Sequence, residues 1–219
     1  KEALQKDGLS IIAEVKKASP SKGVIAEDFR PVETALAYEE AGAAAISCLT
    51  EEHYFKGGSK YFADIRAKVD LPMLRKDFII DPYQIYEAKV LGADAVLLIA
   101  AILSEEKMKE FYELAKSLGL DCLAEVHNEK ELEQTIACKC DIIGINNRNL
   151  KTFEVDLNTT SKLAPKIPYE AVLVSESGMM TKEDLLNVRK QGADGALIGE
   201  AFMRADNIQE TMEELRSSL

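Results

Sequence analysis

The chain is poor in metal-ligating side chains. Its 219 residues include four cysteines and two histidines. Cys138 and Cys140 are close together, but Cys48 and Cys122 lie in apolar runs, and His53 and His127 stand at no ligand spacing. The thiols therefore read as ordinary reduced cysteines, not a zinc site. No apolar run approaches the ~18 residues of a membrane span. Residues 1–8 are polar and mixed in charge, unlike a secretory signal, so the cytoplasm is the expected location. Basic residues are outnumbered, 27 against 38 acidic ones, for a net charge of −11. That argues against nucleic acid, whose phosphates select basic faces. There is no linker, no low-complexity segment and no Gly-x-Gly-x-x-Gly turn after the first strand-like run.

What is present is a regular alternation. Nearly continuous apolar runs at 10–16, 44–49, 72–76, 95–99, 121–126, 142–146, 172–175 and 195–198 read as parallel strands covered on both faces. Amphipathic segments at 31–41, 60–68, 83–91, 105–118, 129–137, 157–164, 182–191 and 208–215 read as helices. Ser104, Asn128 and Thr181 are the expected N-caps, and only Asn128/Glu131 and Thr181/Asp184 approach a capping box. Ala41-Gly42-Ala43-Ala44, Leu91-Gly92-Ala93-Asp94 and Gln191-Gly192-Ala193-Asp194 form a weak internal repeat, each ending a helix and launching a strand. Leu118-Gly119-Leu120-Asp121 is a looser copy. Eight strand-helix units without hairpin signals predict a closed (β/α)8 TIM barrel of class α/β, one domain over 1–219.

Catalytic groups of such barrels stand at the C-terminal ends of the strands. Six apolar runs here end in polar residues: Glu14 and Lys16, Lys76, Glu125, Asn146-Asn147-Arg148, Ser175-Glu176-Ser177-Gly178, and Gly199-Glu200. Period-two alternation puts Glu14 and Lys16 on one side, with Val15 opposite. Gly178 and Gly199 allow backbone N–H groups to approach an anion after the last two strands, the usual phosphate site. Ser177 adds a hydroxyl, and 201–204 is a candidate short helix. Glu200 can serve there only by its main chain, with its side chain turned away.

Ile12-Ala13-Glu14-Val15-Lys16-Lys17-Ala18-Ser19-Pro20-Ser21-Lys22-Gly23 closely resembles the first-strand signature of the indole-3-glycerol-phosphate synthases. The likeness continues through Leu49-Thr50-Glu51, Phe55-Lys56-Gly57, Arg75-Lys76-Asp77-Phe78-Ile79, Glu125-Val126-His127, Gly144 to Leu150, Ser175 to Gly178 and Leu197 to Glu200. The resemblance implies ring closure, decarboxylation and dehydration of 1-(2-carboxyphenylamino)-1-deoxyribulose 5-phosphate, in tryptophan biosynthesis. It implies no metal or organic cofactor. The partner is this small phosphorylated anthranilate-sugar alone, bound by a monomer, with no nucleic acid and no membrane.

Under that resemblance Lys76 is the candidate acid and Glu125 the candidate base. Lys16 either protonates the departing hydroxyl or holds an anionic group. Glu14, Asn146 and Glu176 position them. Arg148 suits the substrate carboxylate. Ser19, Ser177, Gly178, Gly199 and Glu200 complete the binding set, and Phe78, Phe55 and Leu97 resemble a wall for the anthranilate ring. A sister isomerase, acting on phosphoribosylanthranilate, would want Cys at the end of the first strand. A scaffold that binds anions without turnover is the third reading. Family members usually carry an N-terminal extension over the barrel mouth. This sequence begins almost at its first strand, so weakened substrate affinity is the expectation.

Overall fold

Short apolar runs gain most when both faces are covered, and the chain achieves this by curling its strands into a ring inside a coat of helices. The computed structural model describes residues 1–168 and 170–217. Among them, β1 (Ser10–Val15), β2 (Ala45–Leu49), β3 (Met73–Lys76), β4 (Ala95–Ile99), β5 (Asp121–Val126), β6 (Ile142–Asn146), β7 (Val172–Glu176) and β8 (Gly195–Ile198) form a closed parallel barrel. Each strand pairs with its neighbours in sequence, and β1 closes on β8 with Ser10 opposite Gly195. The coat is α1 (Pro31–Glu40), α2 (Ser59–Arg66), α3 (Pro82–Val90), α4 (Glu105–Ser117), α5 (Glu129–Ala137), α6 (Asn158–Leu163), α7 (Lys182–Lys190), the short α8 (Glu200–Met203) and α9 (Ile208–Arg216). No described helix is long and apolar enough to cross a membrane.

The pleat sorts side chains into two cores. Ile11, Ala13 and Val15 of β1 pack outward against the helices, whereas Ile12 points into the barrel with Leu74, Leu97, Leu123, Val174 and Leu197. Two residues beyond four of these apolar plugs, on the same face, stand Glu14, Lys76, Glu125 and Glu176. The barrel is therefore greasy inside and charged at one rim.

The internal repeat has a mechanical meaning. Gly92 and Gly192 end their helices at φ 83° and 97°, a left-handed conformation that costs glycine little. The aspartate two residues on then clamps the preceding strand. Asp94 donates its N–H to Met73 O and accepts the Met73 N–H on its carboxylate; Asp194 does the same with Leu173. Both clamps lie at the end of the barrel remote from the charged rim.

Some local expectations change. The β1–α1 loop contains a small hairpin, Ala18–Ser19 against Gly23–Val24, which no alternation in the sequence predicts. Pro20 is suited to the second position of its turn, closed by Lys22 N–H to Ser19 O at 3.2 Å. Asp81 and Gln84 form an unforeseen capping box around Pro82, and Thr181/Asp184 form the foreseen one. At Asn128 the box is incomplete, because the Glu131 carboxylate accepts the N–H of His127 instead of that of Asn128. The helix expected over 157–164 is α6 followed by a 3-10 turn containing Pro165. The seventh strand runs one residue further than expected, so Glu176 is a strand residue paired with Asn146.

Candidate active site

The rim charges form one buried cluster at the floor of a cavity of about 800 Å³. Lys76 Nζ lies 2.6 Å from Glu176 Oε2 and 3.6 Å from Glu14 Oε1, and Glu14 Oε2 takes Lys16 Nζ at 2.5 Å. Burial alone would lower the Lys76 ammonium, but Glu176, Glu14 and Glu125 outweigh it and push it well up. Burial likewise raises Glu14, yet Lys16 and Lys76 hold it below the usual carboxylate range. Glu176 is the exception. Burial raises it, Lys76 pulls it back, and Glu125 and Glu14 push it up again, to about 7. Its Oε1 has no hydrogen-bond partner among the described residues. A carboxyl held above the ordinary carboxylate range therefore sits against the Lys76 ammonium.

Glu176 has room because β6 carries a glycine. A Cβ on Gly144 would lie 2.1 Å from Glu176 Oε1. Glu176 is fully buried beneath the cavity wall, whereas Glu14, Lys16, Lys76, Glu125 and Asn146 all line the cavity. Asn147, the next residue, faces the other way. Its amide donates to Ser175 Oγ, Glu176 O and Ser177 O, and its carbonyl oxygen accepts from Thr160. This staple fixes the ends of β6 and β7, and with them the backbone of Glu176.

On the far side, Glu125 faces His127. Burial pushes the Glu125 carboxyl up, but His127, Lys76 and the Asn146 amide hold it below its ordinary value. Arg148 pairs with none of the floor carboxylates; its guanidinium lies 3.9 Å from Glu200 Oε2 and donates to Phe153 O at 3.1 Å. Glu200 does turn toward Arg204, at 3.1 Å, but it also keeps Lys22 within 3.8 Å. Three cations thus gather around one carboxylate at the mouth.

Ser177 and Gly178 take φ values of 64° and 90°, which turns the chain sharply at the end of β7. A Cβ on Gly178 would also meet Val155 Cγ1 at 2.5 Å. Gly199, by contrast, has a negative φ of −121°, and its missing side chain makes way for the floor: a Cβ would lie 2.4 Å from Glu14 Oε2 and 3.0 Å from Lys16 Nζ. Gly199→Ala should therefore displace Glu14 and Lys16; if these two side chains take part in a reaction, turnover falls about tenfold, since misplaced groups cost rate. Steady-state kinetics beside a ligand titration checks this; a loss confined to binding would mean that the two side chains stay in place.

The three apolar side chains expected to form a wall, Phe55, Phe78 and Leu97, all line the cavity. Phe55 and Phe78 rings lie 6.2 Å apart, tilted by 53°, and Leu97 lines the same cavity with Ser19. Phe55 is held by Glu51, whose carboxylate accepts the N–H groups of His53, Tyr54 and Phe55. In the sequence Glu51 stands out only within a family-like motif, Asn147 only as a polar residue after an apolar run, and His127 only as a histidine without ligand spacing and as part of such a motif.

A family model described as "Indole-3-glycerol phosphate synthase" matches residues 1–215. A protein of that name from Endomicrobium trichonymphae is 52% identical over 216 residues, covering 99% of this chain and 84% of its own. Another from Acetivibrio thermocellus is 54% identical over 216 residues, covering 98% and 83%. Among solved structures, thiamine phosphate pyrophosphorylase from Pyrococcus furiosus superposes with a TM-score of 0.73 at 20% identity, covering 95% of this chain and 94% of its own. That likeness speaks for the barrel alone. Identity above one half, carried along nearly the whole length, says more: the chain belongs to the indole-3-glycerol phosphate synthase family.

Proposed function

We propose that this chain closes the indole ring of 1-(2-carboxyphenylamino)-1-deoxyribulose 5-phosphate, releasing carbon dioxide, water and indole-3-glycerol phosphate. The observation that carries the reading is the buried Lys76–Glu176–Glu14–Lys16 cluster under an aromatic wall. The ring carbon bearing the carboxylate attacks the sugar ketone while Lys76 protonates the ketone oxygen. Its ammonium is held tightly, but an alkoxide is a far stronger base than a lysine amine. Loss of carbon dioxide returns the bonding pair to the ring. Lys16 protonates the departing hydroxyl, and Glu125 takes the proton from the neighbouring carbon, so each turnover consumes one proton.

Arg148 grips the substrate carboxylate, exchanging Glu200 for a ligand anion. The phosphate is read into the turn at Ser177 and Gly178, the start of α8 and Ser19. In this reading a monomer is the working unit. Incubation with the substrate, followed by indole fluorescence, tests the reading. Fluorescence should rise with stoichiometric release of carbon dioxide. Its absence in a folded sample would leave an anion-binding scaffold.

A further inference from the structure

His127 follows β5 directly and turns its ring back toward Glu125. Nε2 lies 3.2 Å from Glu125 Oε1, off the line of a well-formed hydrogen bond, and Nδ1 lies 3.0 Å from Glu131 Oε2. All three side chains are largely buried, with 12%, 3% and 16% of their surface exposed. Glu131 is itself held. It stands in the first turn of α5, where a carboxylate is favoured, accepts the His127 N–H at 2.8 Å, and takes Asn128 Nδ2 on its other oxygen at 2.6 Å. The ring therefore has one orientation, with one nitrogen spoken for by a carboxylate that meets no substrate. This is a carboxylate–imidazole–carboxylate chain running from the helix into the cavity.

We propose that His127 is the positioning residue of Glu125: clamped by Glu131, its ring holds one oxygen of the candidate base in place and balances its charge. The inference rests on the reading of Glu125 as the dehydration base. The charged groups around the pair are Glu131 on α5, Lys76 on β3 and Glu176 on β7, with neutral Asn146 on β6. Burial disfavours the imidazolium, but Glu125 and Glu131 raise it to about 9, so the ring is charged at neutral pH. Two carboxylates then share one cation, and the one in the cavity stays ionised without needing the substrate. Removing that cation leaves Glu125 to burial, with Lys76 and the Asn146 amide opposing, and its proton affinity rises.

The test combines two readouts. The chain has only two histidines, so imidazole NMR with His53→Gln for assignment follows His127 alone. Its ring should titrate at clearly lower pH in Glu125→Gln and in Glu131→Gln. In kinetics, the acid limb of kcat/KM belongs to the base. In His127→Gln it should move up by about one pH unit, the usual effect of losing a neighbouring opposite charge. Activity below the limb then falls about tenfold while the alkaline side stays nearly in place. Glu131→Gln should move the limb in the same direction by less. A profile lowered evenly, with the limb unmoved, is the mark of a merely structural residue and overturns the proposal. If His127→Gln does not fold, Glu131→Gln decides alone, and an unmoved ring titration with an unmoved limb overturns it. Glu125→Gln run in parallel separates the two readings. Normal dehydration in that variant removes Glu125 as base; slow dehydration with no limb shift in His127→Gln removes only the inference about His127.

Discussion

Lys76→Met is expected to lower turnover by on the order of 10²-fold or more, the scale of a lost general acid, with substrate affinity far less affected. Methionine keeps much of the volume and the apolar stem, so the cavity floor stays filled. The electrostatic consequences are contained. Glu14 keeps Lys16 at 2.5 Å. Burial, Glu125 and Glu14 already hold the Glu176 carboxyl above its ordinary range against the pull of Lys76; without that pull it rises further, toward its neutral form. No bare anion is left in the barrel, so the fold should survive. Indole fluorescence at saturating substrate measures the rate, and a thermal melt checks the fold. Near-normal turnover in a folded variant would end the assignment of Lys76 as acid.

Glu125→Gln should act later in the reaction and about as strongly, again on the order of 10²-fold. Glutamine fills the same space and can still meet His127 and Asn146, but it cannot take a proton. Ring closure and loss of carbon dioxide do not need that base. Single-turnover traces should therefore show carbon dioxide released ahead of indole, with an intermediate building between them. Equal slowing of both signals would show that Glu125 serves the first step, or serves only as a charge.

The strands were legible because each is a nearly continuous apolar run, and the rim because period-two alternation carries Leu74 to Lys76 and Leu123 to Glu125 on one face. Glu14 and Lys16 fall on the cavity side by the same rule. What escaped depends on contacts between strands distant in sequence. The partner of Arg148 is Glu200, more than fifty residues on, and no local pattern links them. Gly144 could have been noticed, since glycine inside a strand marks a close approach, but only the fold shows that Glu176 is what approaches. Neither metal spacing nor the Glu125-Val126-His127 motif signals what His127 does, because its partners stand at i−2 and i+4 across a strand-to-helix turn. The hairpin in the β1–α1 loop was missed because two-residue ladders carry no periodicity.

The paired clamps at Asp94 and Asp194 place the same device four strands apart, between β3 and β4 and again between β7 and β8. Rotating the barrel by half a turn about its axis carries one onto the other. The quarter of the ring where Ala44 stands keeps the backbone bond to Ile11 but has no carboxylate to return it. The barrel thus has an approximate dyad in its foundations that its chemistry ignores: Lys76 leaves β3 as a cation, while its counterpart Glu176 leaves β7 as an acid. Such an arrangement lets the two ends of each strand drift under separate selection. Exchanges at the rim can alter the reaction without touching the closure of the ring, and losses at the clamps should appear as thermal fragility in an enzyme whose rate constants are unchanged.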